Sequence, residues 1–234
     1  MIIFIDPGHG GNDSGAVGPT GLMEKDVNLS ISLIVSQMLE KHGVDARLTR
    51  SDDRRVELLE RVNIANNNKG DYFISIHMNS ASNATANGTE TFAYHKSALG
   101  NRLAKLIQSN LVKEIGLTDR GVKNRDLLVL RETNMPAALV EVAFINNPEE
   151  EKLMKDKNFI KKAAVGIVKG ILEFSNIEYK QDSNENNISN WAKEAMEWAT
   201  SEAVGITDGS RPKELITLER IVNILYRYHK LGNK

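Results

Sequence analysis

Cysteine is absent from all 234 residues of the chain. Its absence excludes disulfide bonds, thiolate zinc sites and cysteine nucleophiles. A surplus of positive charge is also missing, because the chain contains 30 lysines and arginines and 31 aspartates and glutamates, and its formal net charge is −1. Nucleic acid is therefore a poor candidate for a partner. No run of residues is long and apolar enough to cross a bilayer, so we expect no membrane association.

A secretory leader is also missing from the sequence, because no basic segment with a long apolar stretch precedes the first predicted strand at Ile2. We therefore expect no signal peptide and synthesis in a cytoplasm. The hydrophobic fraction of 41% over this length is enough to bury a sizeable core. One large domain followed by a small one fits this size.

Short apolar segments alternate with segments of helical periodicity over the first 175 residues. The predicted strands cover residues 2–5, 44–48, 72–76, 89–94, 127–130 and 137–143, and the predicted helices cover 27–39, 55–67, 99–115 and 159–174. The strands are apolar without strict alternation, which indicates burial on both faces. We therefore predict an α/β domain, with a twisted, mixed and mostly parallel sheet flanked by helices.

The composition changes after residue 175 and predicts a second, smaller unit. Residues 181–187 are polar without any aliphatic side chain, which is typical of a linker, here placed at 176–189. Beyond it, Trp191, Ala195 and Trp198 share one face of a predicted helix, and Thr217 is a candidate N-cap for another helix over 218–228. We therefore predict domains at 1–175 and 190–234, the second being a small helical module.

Two histidines occupy similar places in the predicted sheet. His9 follows the strand over residues 2–5, and His77 follows the strand over 72–76. Open α/β sheets build their sites in the crevice beyond the carboxyl ends of the strands. Imidazole is the commonest metal ligand in proteins. Two histidines that are distant in sequence but alike in position therefore suggest a single metal centre.

A catalytic zinc site commonly takes three protein ligands and leaves one position for water, so a carboxylate should complete the set. Glu24, in the glycine-rich loop before a predicted helix, is the preferred candidate. It could instead be a carboxylate at the helix N-terminus that interacts favourably with the helix dipole. Spacing alone leaves three rivals for the third ligand, Asp6, Asp13 and Asp26.

Glu141 is the one charge inside the apolar segment 137–144, where an unpartnered carboxylate is costly to bury. Close to a metal-bound water it could act as a general base. A structural ion pair with Arg125 or Arg131 is the alternative. The other three histidines receive no predicted role in the site: His42, His95 and His229.

Four motifs together resemble the zinc-dependent N-acetylmuramoyl-L-alanine amidases of the amidase-3 type, over about residues 1–175. They are Asp6-Pro7-Gly8-His9-Gly10-Gly11, Gly21-Leu22-Met23-Glu24-Lys25-Asp26, Ser75-Ile76-His77-Met78-Asn79 and Glu141-Val142-Ala143-Phe144-Ile145-Asn146-Asn147. The segments 127–131 and 135–137 also match. Ala143 is a small departure, since such enzymes often carry glycine there.

The resemblance implies one catalytic Zn²⁺ bound by His9, Glu24 and His77, with Glu141 as the catalytic carboxylate. The implied substrate is peptidoglycan, cut at the amide between N-acetylmuramic acid and L-alanine. The long insert that gates some cell-division members is absent, so an open cleft is expected. A metallopeptidase or deacetylase acting on wall polymers, and a non-catalytic wall-binding protein, are the alternative interpretations.

The C-terminal module is similar to a single surface-layer-homology repeat, through Trp191-Ala192, Trp198-Ala199, residues 205–209 and Thr217-Leu218-Glu219-Arg220. The likeness implies binding to a wall polymer. Because such a short module rarely buries enough surface to stand alone, a homo-oligomer is a further expectation. The whole chain thus resembles a phage or prophage endolysin, which waits in the host cytoplasm for a holin and then acts at the cell wall. A host autolysin without its leader is the competing origin.

Overall fold

The computed structural model describes residues 1–181 of the chain. The elements, in chain order, are β1 (Ile2–Pro7), α1 (Glu24–Lys41), β2 (Asp45–Leu48), α2 (Leu58–Asn67), β3 (Tyr72–Asn79), β4 (Thr89–Ala93), α3 (Ala98–Ile115), β5 (Asp119–Asn124), α4 (Leu128–Arg131), β6 (Ala137–Phe144), α5 (Pro148–Met154) and α6 (Lys157–Phe174). The predicted module over 190–234 and most of the predicted linker lie outside the described residues.

The six strands form one sheet in the order β2-β1-β3-β6-β4-β5. All neighbouring pairs are parallel except β4 and β6, which run antiparallel. The predicted mixed, mostly parallel sheet flanked by helices is therefore confirmed. The carboxyl ends of β1, β3 and β6 lie side by side at one edge of this sheet, where a site is expected.

Alternate residues of the central strands point into two separate cores, because successive side chains of a strand face opposite sides. The larger core lies under α1, α3 and α6 and takes side chains such as Ile5, Ile76 and Val140. The smaller core lies under α2 and α4 and takes Phe73 and Leu139. Both faces of the sheet are thus covered, which explains its apolar strands.

Three elements differ from the sequence-based expectation. The predicted strand over 127–130 is wrong, because Leu128–Arg131 forms the short helix α4 that packs against α2 and β6. A four-residue apolar run fits a buried strand and a buried helical turn equally well. Strand β5 and helix α5 were not predicted. Strand β3 also continues to Asn79, so that His77 lies within the strand rather than after it.

The compact unit that contains the sheet continues past α6. Ile177 and Tyr179 pack against the larger core, and the Tyr179 ring stacks on His42 with ring centroids 5.2 Å apart. Residues Met1–Tyr179 accordingly form one compact unit. Within the described part of the chain, none of the helices combines the length and the apolar character that a membrane crossing requires.

Candidate metal centre

His9 lies in the loop after β1 with a left-handed backbone, at a φ of 60°. This conformation is strained for a residue with a side chain, so it needs support from its surroundings. Gly8, just before it, packs against the His77 ring so closely that a Cβ at position 8 would overlap the ring. Glycine at position 8 therefore lets the two histidines approach each other, with ring centroids 5.0 Å apart.

Two buried arginines hold the backbone of this loop. Arg50 donates to the carbonyl oxygens of Pro7 and Gly8, at 3.0 and 2.8 Å. Arg61 donates to the carbonyl oxygens of Pro7 and His9, at 2.6 and 2.7 Å, and forms an ion pair of 2.8 Å with buried Asp6. Fixed guanidinium donors thus impose the unusual His9 backbone conformation.

Glu24 is the first residue of α1 and is 4% exposed. Its Oε2 accepts a hydrogen bond from the Ala16 amide at 2.8 Å, and its Oε1 accepts one from the Met78 amide at 3.1 Å. The loop before it is anchored by Glu151 of α5, whose carboxylate accepts hydrogen bonds from the amide and hydroxyl of Thr20 at 3.0 and 2.7 Å. The Glu24 side chain is therefore fixed from both sides.

The three predicted ligands meet at one point. Glu24 Oε1 lies 3.2 Å from His9 Nε2 and 2.8 Å from His77 Nδ1. One ligand atom from each of these residues lies within 4.8 Å of the others, a spacing that a single metal ion could bridge. Two imidazole nitrogens with one carboxylate form a donor set that suits zinc.

Glu24 and the two imidazoles stabilise each other's charged forms. Burial works to lower the pKa of His9, but the hydrogen bonds and negative charges of Glu24 and Asp13 outweigh it and raise this pKa to about 9. Burial works to raise the pKa of Glu24, but the two imidazoles hold it well below its ordinary value. The site thus concentrates negative charge between two imidazoles, where a cation is favoured.

The three rival carboxylates are placed differently. Asp13 Oδ2 lies 2.9 Å from His9 Nδ1, so it contacts the ring nitrogen opposite Glu24. Asp6 is bonded to Arg61, Thr49 and Ser75. Asp26 is exposed on α1. Among residues 1–181, only Glu24 joins both histidines in a group that could hold a metal.

Glu141 lies in β6 directly beside the group formed by His9, Glu24 and His77. It is the register partner of His77 in β3 and of Glu90 in β4. Its Oε2 is enclosed and has no hydrogen-bond partner within the described residues. Burial raises its pKa to about 7, so this carboxyl can both hold and release a proton near neutral pH.

Neither arginine that the sequence offered as a partner for Glu141 forms that ion pair. Arg131 pairs with Asp126 and Glu132, and the Arg125 guanidinium lies 5.4 Å from the centre of the Phe92 ring. No structural ion pair at Glu141 is therefore found within residues 1–181. His95 lies apart from the group, with its ring against Tyr94, and His229 lies outside the described residues.

An open cleft of about 390 Å³ lies in front of the two histidines. Its lining includes Asp6, Ser75 and Arg61, together with the apolar side chains of Leu58 and Leu128. No role was predicted for Arg50, which follows β2, or for Arg61 in α2, because the spacing of an arginine in the sequence does not show that its guanidinium is buried. The Asp13 contact with His9 was not identified either, although its i, i+4 spacing from the histidine is visible in the sequence.

Together, the sheet and its histidine-carboxylate group define an α/β protein with a potential three-ligand metal site at the strand ends. The family model of the N-acetylmuramoyl-L-alanine amidases matches residues 3–173, and the chain belongs to this family. It is therefore a peptidoglycan amidase. The alternative interpretations as a metallopeptidase, a deacetylase or a non-catalytic wall protein are set aside.

Individual relatives agree with this membership. The chain is 42% identical over 174 residues to the N-acetylmuramoyl-L-alanine amidase LytC of Bacillus subtilis. The aligned region covers 74% of this chain and 35% of LytC. It is 38% identical over 186 residues to the endolysin of Bacillus phage SPP1. The aligned region covers 76% of this chain and 68% of that endolysin. The catalytic domain of CwlV, an amidase from Bacillus (Paenibacillus) polymyxa var. colistinus, superposes with a TM-score of 0.73 at 39% identity, covering 76% of this chain and 99% of that domain.

Proposed function

We propose that this amidase is zinc-dependent, with His9, Glu24 and His77 holding one ion. The observation that carries the proposal is the convergence of their three ligand atoms within 4.8 Å. When bound, zinc would supply Lewis-acid stabilisation of the carbonyl oxygen and would lower the pKa of a coordinated water. Asp13 at His9 Nδ1 orients that imidazole so that Nε2 faces the site, the usual role of a carboxylate behind a histidine ligand.

Glu141 is the proposed catalytic carboxylate. Its enclosed Oε2 has no hydrogen-bond partner among the described residues, and its raised pKa of about 7 suits a group that takes a proton and then returns it. Glu141 accepts the proton of the attacking water as the amide between the lactyl group and L-alanine is cut. It then gives the proton to the departing amine of L-alanine.

The test measures the zinc content of the protein and, in parallel, the products that it releases from purified sacculi. Wild-type protein should bind one zinc ion and release peptides with a new N-terminal alanine, and a chelator should stop this release. Glu141→Gln should keep the zinc while turnover falls by about 10²- to 10⁴-fold. Retained turnover in this variant, or full turnover by metal-free protein, would contradict the proposal.

We also propose an endolysin role, in which residues 190–234 follow a linker at 176–189, bind a wall polymer and carry the self-association of the chain. The similarity to the SPP1 endolysin supports this role, while the similarity to LytC supports the competing autolysin origin. Expression of the chain in a bacterial cytoplasm tests whether its lytic action depends on a holin. An endolysin should lyse the cells only when a holin is co-expressed, and lysis that is independent of the holin would argue against this role.

A further inference from the structure

Strand β5, at the edge of the sheet, carries positive charge next to the catalytic region. Arg120 Nε donates to Glu90 Oε2 at 2.8 Å, and Lys123 also pairs with this oxygen. Glu90 is the register partner of Glu141, which is itself the register partner of His77. A single row of side chains therefore runs across β3, β6 and β4 and ends at the cations of β5.

A break in the pairing of β4 with β5 brings the two cations together. Thr89 pairs with Asp119 and Thr91 pairs with Val122, so β5 has one residue more than β4 in this interval. Gly121 lies in this interval with a φ of 76°, which glycine adopts without strain. In a regular strand, residues 120 and 123 would face opposite sides of the sheet. The extra residue lets both side chains reach Glu90.

The cations at this edge outnumber the carboxylates that pair with them. Glu90 supplies one negative charge to Arg120 and Lys123, and Lys123 is 41% exposed. Arg125 follows β5, is exposed, and belongs to no ion pair within residues 1–181. Its guanidinium is held 5.4 Å from the centre of the Phe92 ring, on the sheet face that Glu90 and Glu141 share. The Arg125 guanidinium and the partly exposed Lys123 ammonium therefore present positive charge to solvent at this edge of the sheet.

The distance from Glu141 to these cations corresponds to a short peptide. Strands β6 and β5 are separated by β4, so they lie two strand spacings apart, roughly 10 Å. Lys123 is the register partner of Phe92, two residues along β4 from Glu90, which makes the diagonal from Glu141 to Lys123 roughly 12 Å. About three to four residues of extended peptide cover this distance. In the substrate, free carboxylates belong to the stem peptide, because the lactyl carboxyl of the sugar is part of the amide that is cut.

We propose that Lys123 and Arg125 form a subsite that binds a free carboxylate of the stem peptide, two to three residues beyond the L-alanine. The subsite rests on the proposed function, since it requires the scissile amide to lie at Glu141. The peptide then crosses β6 and β4 toward the β5 edge. Because the pairing is partly exposed to solvent, it contributes to substrate affinity rather than to the chemical step.

The experiment compares two soluble muramoyl tripeptides that differ only at the third residue, two residues beyond the L-alanine, whose carboxyl group is either free or amidated. Zinc-loaded wild type should prefer the acid about three- to tenfold in kcat/KM, mainly through KM, and added salt should weaken this preference. Arg125→Gln and Lys123→Gln should each bring the ratio toward one by losing activity on the acid alone. Arg125→Lys should keep most of the preference.

The matched control is Lys113→Gln, which removes an exposed cation from α3, a helix that covers the opposite face of the sheet. This variant should keep the wild-type preference. Equal use of both substrates by wild type, or an unchanged preference in Arg125→Gln, would overturn the subsite while the amidase function stands. If wild type cleaves neither substrate, the proposed function fails, and the subsite that depends on it fails too.

Discussion

At the scale of single residues, the site depends on charges that oppose one another at close range. Glu24 Oε1 is shared between His9 Nε2 and His77 Nδ1, while the enclosed carboxyl of Glu141 lies one strand further along the sheet. A second carboxylate so near the first is costly to ionise without a cation between the two. The same arrangement that suits a metal therefore makes the metal-free protein sensitive to pH.

The variant Glu141→Gln tests how much the ionisation of Glu141 destabilises the folded, metal-free protein. The pKa of Glu141 in the folded chain, about 7, lies above its ordinary value of 4.5, so the folded state loses stability as pH rises through this interval. Glutamine does not ionise, and the variant should therefore gain stability relative to wild type at pH 8, by at most about 3 kcal/mol, and gain little at pH 4. Urea unfolding with a chelator at both pH values measures the difference.

The control for this measurement is Glu40→Gln, which replaces an exposed carboxylate on α1. Its stability relative to wild type should change little between the two pH values. An equal gain for Glu141→Gln at pH 4 and pH 8 would show that packing, rather than ionisation, sets the stability of this variant.

The sequence identified the residues with unusual surroundings but not the contacts that position them. Glu141 was noticeable because it is a single charge within an apolar segment, and His9 and His77 because both follow a predicted strand. The choice of Glu24 over Asp13 could not be made from spacing, since both lie in the same loop region. It depends on the packing of α1 against β3, which brings Glu24 to the Met78 amide.

At the scale of secondary-structure elements, the proposed metal site depends on a helix that contributes none of the proposed ligands. Helix α5 places Glu151, 1% exposed, beneath the loop that leads into α1. One oxygen of its carboxylate accepts hydrogen bonds from the Thr20 amide, the Thr20 hydroxyl and the Leu22 amide. The position of Glu24 at the start of α1 therefore depends on an element more than 120 residues away in sequence.

Glu151→Ala should loosen this loop. Its removal leaves the amides of Thr20 and Leu22 without their acceptor, so hydrogen exchange should accelerate over residues 18–22. Because Glu24 follows directly, zinc affinity measured by competition with a chelator should fall roughly tenfold, as is usual for residues that support a ligand from behind. Glu149→Ala, in the same helix but exposed, should leave both measurements close to wild type. Unchanged zinc affinity in Glu151→Ala would disprove the link between α5 and the site.

The two elements that were not predicted, β5 and α5, lack a clear hydrophobic periodicity in the sequence. Strand β5 contains Arg120, Gly121 and Lys123 and has no apolar run, so its place in the sheet follows only from pairing with β4. Helix α5 did carry local signals, because Asn147 caps it and Pro148 opens it. Its seven residues are too few for helical periodicity to appear. Long elements such as α1, α3 and α6 were predicted within a few residues.

At the scale of the whole molecule, the described unit ends at Tyr179 rather than at the end of α6. Ile177 and Tyr179 both pack against the larger core, and Lys169 Nζ lies 5.0 Å from the centre of the Tyr179 ring. The catalytic domain of CwlV has nearly the same extent, since 99% of it is covered by 76% of this chain. Catalysis and wall binding should therefore be separable by truncation, at a point that must lie beyond residue 179.

Three chains test this separation: the full chain, residues 1–181 and residues 1–175. The 1–181 chain should unfold cooperatively and cleave a soluble muramoyl peptide within about twofold of the full chain, since it keeps the entire site. The 1–175 chain loses the packing of Ile177 and Tyr179, and its free energy of unfolding should fall by about 1–3 kcal/mol. Binding to sacculi, measured in the Glu141→Gln background so that the wall stays intact, should weaken in both truncated chains if residues 190–234 bind a wall polymer. Equal sacculus binding by all three chains would place wall affinity in the amidase unit itself.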